Sequence, residues 1–178
     1  DRKAWDMLQL LTTKPVLYVC NVSEADAADG NAFSNAVGEM AAAQGNSHVV
    51  ISAQIEEEIS QLDADEAQEF LSEMGFEEPG LDRVIRAGYE LLQLETYFTV
   101  GPKEARAWTI TKGTAAPQAA GVIHTDFEKG FIKAEVTAFD DLVAAGSLAD
   151  ARAGGKARIE GKDYVMRDGD VVEFRFSS

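Results

Sequence analysis

The spacing of hydrophobic residues changes near Leu94, and this change divides the chain into two parts. In the first part, residues 16–20 and residues 48–51 are short apolar runs rich in β-branched residues. Such runs are typical of strands that are buried on both faces of a parallel sheet. Both runs end in polar residues, and in open α/β sheets ligands bind at the carboxyl ends of the strands. The pattern therefore predicts a ligand site at this edge of the sheet.

A helix is predicted between the two strands, over residues 32–43, with Phe33, Val37 and Met40 on its packing face. Two parallel strands joined by a helix make a βαβ unit, which is nearly always right-handed. Helical spacing predicts further helices over residues 1–11, from Glu56, over residues 63–74 and over residues 81–94. The first part is therefore predicted to be an α/β unit.

The second part has the pattern of β-hairpins around a short helix. Its predicted elements are strands over residues 96–100 and 105–111, a helix capped by Thr114 that ends near His124, a strand over 131–138, a helix over 139–145, and a closing hairpin of residues 162–166 and 171–176. Hairpin, helix, strand and closing hairpin is the order of a β-grasp, ubiquitin-like fold. The sequence therefore predicts two domains, residues 1–94 and residues 95–178.

Charge separates the two parts as well. The chain has a formal net charge of −15, and residues 1–94 hold 5 basic and 18 acidic residues. This acidity argues against non-specific nucleic-acid binding by the first part, whereas the second part is nearly neutral. Cys20 is the only cysteine, so the chain has neither an internal disulfide nor a cysteine-based metal site. We find no apolar run of membrane-spanning length and no signal-peptide pattern, so we expect a cytoplasmic protein.

Polar residues follow both predicted strands of the first part. The candidate cofactor-binding residues are Asn21, Val22, Ser23 and Glu24 after the first strand, and Ser52, Ala53 and Gln54 after the second. The spacing Asn-x-x-Glu resembles a variant of the Asn-Lys-x-Asp motif with which P-loop GTPases recognise guanine. In those proteins a Ser-Ala pair after the next strand contacts the base through backbone N–H groups. An ordinary polar loop between a strand and a helix is the alternative.

The substitutions within the motif bear on which base it recognises. In Asn-Lys-x-Asp, the Asp carboxylate accepts hydrogen bonds from the N1–H and the 2-amino group of guanine. Here the acid is Glu24, which is one methylene longer, and Val22 replaces the Lys that lies along the base. Adenine has no 2-amino donor and presents an acceptor at N1. The substitutions therefore weaken the case for guanine and leave adenine open.

Four longer segments carry a closer resemblance. Residues 88–110, 117–136 and 160–176 resemble the beginning, the most distinctive segment and the end of the TGS domain of the YchF family, the Obg-like ATPases. Residues 77–89 resemble the helical link that precedes this domain. The resemblance covers nearly the whole chain and includes Asn-x-x-Glu, which the family uses to accept ATP at least as readily as GTP.

The resemblance implies a specific organisation. Residues 1–94 correspond to the carboxy-terminal part of a P-loop NTPase domain: the last two strands of its Rossmann-like sheet, their helices, and the end of a helical arm. Residues 95–178 correspond to the TGS domain, an α+β fold of the β-grasp type. The parent protein is then expected to be a ribosome-associated ATPase that uses ATP, or GTP, with Mg²⁺. Its TGS domain is expected to contact the ribosome and RNA, with no DNA specificity and no membrane partner.

The chain departs from the family in one respect. It has no Gly-x-x-x-x-Gly-Lys-[Ser/Thr] phosphate loop and no Asp-x-x-Gly motif. Backbone N–H groups and the lysine of such a loop hold the phosphates, and its Ser or Thr holds Mg²⁺. We therefore assign no catalytic residue and no metal ligand within this chain.

Two other hypotheses stay open. In the first, the chain is a stand-alone binding module whose β-grasp domain docks on a ribosome, RNA or a regulatory protein without using nucleotide. The candidate contacts are basic residues that would have to share one face: Lys103, Arg106, Lys129, Lys133, Arg152, Lys156 and Arg158. In the second, the chain is a regulatory or redox-linked interaction protein with no use for nucleotide.

Two clusters of titratable residues have a metal-binding alternative. The run Glu56-Glu57-Glu58 suits the first turn of a helix, where carboxylates stabilise the dipole, and a metal site is the alternative. The run His124-Thr-Asp-Phe-Glu could bind a metal or carry out acid–base chemistry. The alternative is a structural role, in which His124 ends a helix and Asp126 caps the next turn. With only two His in the chain, we favour the structural role.

We predict that the 178-residue chain alone neither binds ATP tightly nor hydrolyses it, because residues that hold the phosphates are absent from its sequence. Phosphate release at millimolar ATP should equal the rate without protein. Measurable turnover by the purified chain would contradict the assignment of no catalytic residue.

Overall fold

The first part of the chain is built on two parallel strands, β1 (Leu17–Asn21) and β2 (Ser47–Ile51), joined by helix α1 (Ala32–Ala43). The computed structural model describes residues 4–5, 7–101 and 103–177. In it the chain divides into a first unit, Asp1–Leu92, and a second unit, Gln93–Ser178. The pairing runs in register from Leu17 opposite Ser47 to Asn21 opposite Ile51, which confirms the predicted parallel strands.

The start of α1 is fixed by a reciprocal cap. The Asn31 side chain accepts hydrogen bonds from the backbone N–H groups of Phe33 and Ser34, and the Ser34 hydroxyl accepts from the N–H of Asn31. These bonds satisfy N–H groups that the first turn of a helix leaves unpaired. The cap therefore sets where the chain leaves the loop after β1 and enters the helix.

The burial of this unit differs from the prediction. The buried residues of α1 are Ser34, Gly38 and Ala41, whereas the predicted packing residue Phe33 is 84% exposed. Small residues allow close approach: a Cβ at Gly38 would lie 2.8 Å from the imidazole ring of His48. The prediction that both strands are fully buried is also wrong, because β1 and β2 contain half-buried and exposed side chains.

In the part of the first unit that follows β2, the structure has the helices α2 (Ala53–Ile59), α3 (Ala64–Glu73) and α4 (Gly80–Leu91). Glu56 joins two of them, because its carboxylate accepts hydrogen bonds from the N–H groups of Gly80, at 2.7 Å, and Leu81, at 3.1 Å. The helix predicted over residues 1–11 falls partly outside the described residues. In the described part, Gln9 has φ +53° and a 3₁₀ turn follows at Leu11–Thr13, so no regular helix reaches Leu11.

The second unit is a mixed five-stranded sheet with the strand order β4-β3-β7-β5-β6. Strands β3 and β7 pair in parallel, and the other neighbours are antiparallel. Its elements are β3 (Leu94–Val100), β4 (Ala105–Thr111), α5 (Ala116–Ile123), α6 (Thr125–Lys129), β5 (Phe131–Ala138), α7 (Phe139–Ala145), α8 (Leu148–Ala153), β6 (Arg158–Glu160) and β7 (Asp170–Phe176).

The core of the second unit lies between the sheet and α5. Tyr97 is fully buried at its centre, and its hydroxyl donates a hydrogen bond of 2.8 Å to the carbonyl oxygen of Ala119. Burial raises the pKa of Tyr97 well above its usual range, so the hydroxyl stays protonated and keeps this bond. Large side chains of β5, β7 and the loop between β6 and β7 pack around it, namely Phe131, Val136, Met166 and Val172.

Two predictions for the second unit are wrong. Residues 162–166 do not form a strand of a closing hairpin; β7 instead pairs with β3 and β5, and β6 pairs with β5. The carboxylate of Asp170 accepts hydrogen bonds from the Tyr164 hydroxyl, at 2.8 Å, and the Arg167 N–H, at 2.9 Å, and so holds this segment as a loop. The N-cap of α5 is Ala115, because the Thr114 hydroxyl donates to the carbonyl oxygen of Thr111.

No helix among the described residues is both long enough and apolar enough to cross a bilayer.

We predict that Asp170→Ala lowers the free energy of unfolding by about 2 kcal/mol, because two donors lose their acceptor inside the protein. Asp170 is only 2% exposed, so water cannot replace the carboxylate. Asp163→Ala, at an exposed position of the same loop, is the matched control and should change the stability little. Equal urea midpoints for the two variants would contradict this role of Asp170.

Candidate functional site

The two loops at the carboxyl ends of β1 and β2 are joined by a hydrogen bond. The Asn21 side-chain oxygen accepts from the backbone N–H of Ala53, at 2.9 Å. Next to it, the N–H of Val22 donates to the carbonyl oxygen of Ile51, also at 2.9 Å. The amide of Asn21 therefore ties the end of β1 to the first residue of α2, and the two loops form one edge.

A second set of hydrogen bonds shapes the loop after β1. The carboxylate of Asp26 accepts from the Asn31 amide and from the Ser23 hydroxyl, each at 3.0 Å. These bonds lower the pKa of Asp26 below its usual value because they stabilise the ionised form. The bond from Asn31 has the larger effect. Since Asn31 also caps α1, the shape of the loop is coupled to the start of that helix.

Glu24 and Gln54 lie exposed at this edge. Glu24 begins a short 3₁₀ turn, Glu24–Asp26, and its carboxylate has no hydrogen-bond partner among the described residues. Val22, which precedes Glu24 by two residues, is half-buried, and Ser23 is exposed. An exposed carboxylate that is not engaged elsewhere can accept hydrogen bonds from a ligand.

The side chain of Ser52 lies elsewhere. It is 2% exposed, and its hydroxyl lines a small internal cavity together with Ala27, Ile55 and Leu71. The structure thus brings Asn21 and Ala53 together and leaves Glu24 and Gln54 accessible, but it does not bring the Ser52 hydroxyl to the open edge. The Ala53 N–H, which the sequence offers as a contact to a base, donates to Asn21.

Both clusters with a metal-binding alternative have structural contacts. Glu56 caps α4, and no group of three or more His, Cys, Asp or Glu side chains within the described ranges is arranged to hold a metal ion. The imidazole Nδ1 of His124 accepts a hydrogen bond of 3.2 Å from the N–H of Asp126. His124 therefore ends α5 and caps α6, whereas the sequence assigns the cap of that turn to Asp126.

The candidate basic contacts of the second unit differ in how they are neutralised. Arg152 pairs with Glu135 and Glu173, and the Arg106 guanidinium lies 4.2 Å from the centre of the Trp108 ring. Lys156 pairs with Asp141 at 2.9 Å, and Arg158 pairs with Glu160 at 3.3 Å. No ion pair within the described part of the chain involves the remaining three, which are Lys103, Lys129 and Lys133.

Sequence reasoning missed Asp26 and Asn31. The spacing Ser-x-x-Asp from Ser23 and the pair of Asn31 and Ser34 were available as signals of a turn and a helix cap. The sequence does not indicate that the side chains of Ser23 and Asn31 both donate to the carboxylate of Asp26.

These features define an α/β protein with a parallel pair of strands in one unit and a mixed sheet in the other. The family model YchF-GTPase_C, described as "Protein of unknown function (DUF933)", matches residues 94–177. The chain is 52% identical over 179 residues to the ribosome-binding ATPase YchF of Bacillus subtilis, a match that covers 99% of this chain and 49% of that protein. It is 45% identical over 172 residues to Obg-like ATPase 1 of Rattus norvegicus, covering 95% and 43% respectively.

A solved structure agrees with these relatives. The structure of the Schizosaccharomyces pombe YchF GTPase matches with a TM-score of 0.82 and 38% identity, over 97% of this chain and 46% of that one. The chain therefore belongs to the YchF family, the Obg-like ATPases. It spans about half the length of the curated relatives it matches.

We predict that Ser23→Ala raises the pKa of Asp26, because the ionised carboxylate loses one of its donors. A carboxyl group whose pKa is lowered by folding stabilises the fold at higher pH, and that stabilisation is lost as the pH falls through the folded-state pKa. Carbon-13 NMR titration of the carboxyl groups measures the pKa directly. Ser60→Ala, on an exposed serine beyond α2, is the control; an unchanged Asp26 titration in Ser23→Ala would contradict the assignment.

Proposed function

We propose that this chain supplies the base-recognition edge and the interaction domain of a ribosome-associated ATPase. The observation that carries the proposal is the hydrogen bond between Asn21 and Ala53, which joins the two loops at the carboxyl ends of parallel strands. Ligands of open α/β sheets bind at this edge. In the proposal, Asn21, Val22, Ser23 and Glu24 of the first loop surround the base together with Ala53 and Gln54 of the second, and Ser52 supports that loop from beneath.

Glu24 is the residue proposed to select the base. Its carboxylate is exposed and unpaired among the described residues, so it is available to accept hydrogen bonds from a ligand. The exocyclic amino group of adenine is such a donor, and ATP is the proposed cofactor, with GTP as the alternative. In the proposal, Asn21 holds the loop in place and Ser52 packs beneath it rather than contacting the base.

The phosphates and Mg²⁺ are proposed to be held by residues outside this sequence, on a P-loop NTPase domain of which the first unit is the last portion. Two observations support this. The chain spans about half the length of its relatives. Val19 in β1 is 46% exposed and Phe33 in α1 is 84% exposed, as expected where further strands and helices pack.

The second unit is proposed to be a TGS domain with a β-grasp fold. Its mixed sheet, with β3 and β7 parallel at the centre and α5 packed on one face, is the arrangement that supports this assignment. The name of the Bacillus subtilis relative refers to ribosome binding, and we propose the ribosome and its RNA as partners here. The proposed location is therefore the cytoplasm.

The proposal is tested by Glu24→Asp in the complete gene product. Shortening the side chain by one methylene recreates the acid of the guanine-binding motif. We predict that the dissociation constant of ATP divided by that of GTP increases by about tenfold, so that the variant binds GTP relatively more tightly. Titration with fluorescent analogues of both nucleotides measures the ratio.

The matched control is Glu57→Asp, the same change at an exposed position of α2 in the same unit. It should leave the ratio unchanged. An unaltered ratio in Glu24→Asp, with normal binding of both nucleotides, would show that Glu24 does not contact the base.

A further inference from the structure

A groove of about 850 Å³ opens on the second unit between α6 and the end of β7. Its volume is within the range of pockets that bind small molecules or parts of larger ones. We call it the α6–β7 groove, and its principal lining residues are Ile123, His124, Asp126, Phe127, Lys129 and Phe176. None of the candidate nucleotide-binding residues contributes to it.

Two stacked rings form the floor of the groove. The rings of Phe127 and Phe176 have centroids 3.9 Å apart and planes inclined by 24°. The ring of His124 lies 5.9 Å from that of Phe127. Phe176 is 38% exposed, so part of an aromatic surface that is already stacked is open to a ligand. Flat aromatic surfaces of this kind stack unpaired bases.

A close backbone contact holds Ser177, the residue after β7, against the groove. The N–H of Ser177 donates to the carbonyl oxygen of Gly130 at 2.8 Å. A Cβ at Gly130 would lie 2.0 Å from the carbonyl oxygen of Ser177, so only glycine permits this approach. The contact fixes the end of β7 and keeps the Phe176 ring on Phe127.

The rim of the groove carries a hydrogen-bond donor, a cation and the exposed carboxylate of Asp126, whose oxygen lies 3.5 Å from Nδ1 of His124. Because Nδ1 of His124 accepts from the N–H of Asp126, the proton of the neutral imidazole is on Nε2, and the side chain is 59% exposed. Lys129 is exposed and makes no ion pair within the described ranges, unlike Arg152, Lys156 and Arg158. Among the described residues that line the groove, Lys129 is the only lysine or arginine, and its ammonium group is available for a phosphate group.

We propose that the α6–β7 groove binds an unpaired base of single-stranded RNA, with the base stacked on Phe176 and the adjacent phosphate at Lys129. An apolar peptide would not use the exposed imidazole donor and the ammonium group, whereas a nucleotide uses both together with the aromatic floor. A base in a duplex has no free face to stack. The inference rests on the proposed function, in which the second unit contacts ribosomal RNA, and it names the surface that does so.

Fluorescence anisotropy of a labelled, short oligouridine with the 178-residue chain tests the inference. Phe176→Leu keeps an apolar side chain but removes the aromatic face, and we expect it to weaken binding by about fivefold or more at every salt concentration. Lys129→Gln should weaken binding and reduce the slope of log K against log salt by about 0.7. Lys112→Gln removes the same charge at an exposed position after β4, outside the groove, and should bind as the unaltered chain does.

The outcomes separate this inference from the proposed function. The groove assignment would be overturned if the chain does not bind oligouridine, if it binds an RNA duplex of the same length equally well, or if both groove variants bind as the unaltered chain does. This holds even if the chain co-sediments with ribosomes. Loss of binding in Phe176→Leu and Lys129→Gln, with thermal unfolding unchanged, would support it. If that loss occurs while the unaltered chain fails to co-sediment with ribosomes, the groove assignment stands and the ribosomal partner is wrong.

Discussion

The hydrogen bond from the Ala53 N–H to the Asn21 side chain is the interaction on which the candidate site depends. Parallel pairing of β1 and β2 brings the two loops to one edge, but pairing alone does not fix their shape. Asn21 fixes the position of one loop relative to the other, and the bonds from Ser23 and Asn31 to Asp26 fix the shape of the loop after β1. Glu24 is then the acidic group of this edge that remains available for a ligand.

The second unit is held together by buried polar groups that fix the positions of its elements. Tyr97 bonds the sheet to α5, and Asp170 bonds β7 to the loop that precedes it. Each of these groups is buried, so the loss of a partner cannot be compensated by water. This rigidity matters for the α6–β7 groove, because the stacking of Phe127 and Phe176 requires that α6 and the end of β7 keep a fixed separation.

Local patterns in the sequence predicted the parallel strands, the first hairpin and the edge that carries Asn21 and Ala53. The packing face of α1 could not be predicted in this way, because close approach of Gly38 to His48 favours small residues over the larger Phe33. The prediction of a closing hairpin is wrong for a similar reason. Residues 162–166 alternate as a strand does, but the bond from Tyr164 to Asp170 depends on the folded arrangement of the loop. Such contacts become visible only in the tertiary structure.

We propose that the loops after β1 and β2 together receive the base of a nucleotide. Hydrogen–deuterium exchange of the complete gene product, with and without ATP, tests it most directly. We predict that ATP slows exchange of the backbone amides in residues 22–27 and 53–56, while amides of α6 in the second unit are unaffected. Equal exchange in both loops at saturating ATP would contradict the claim.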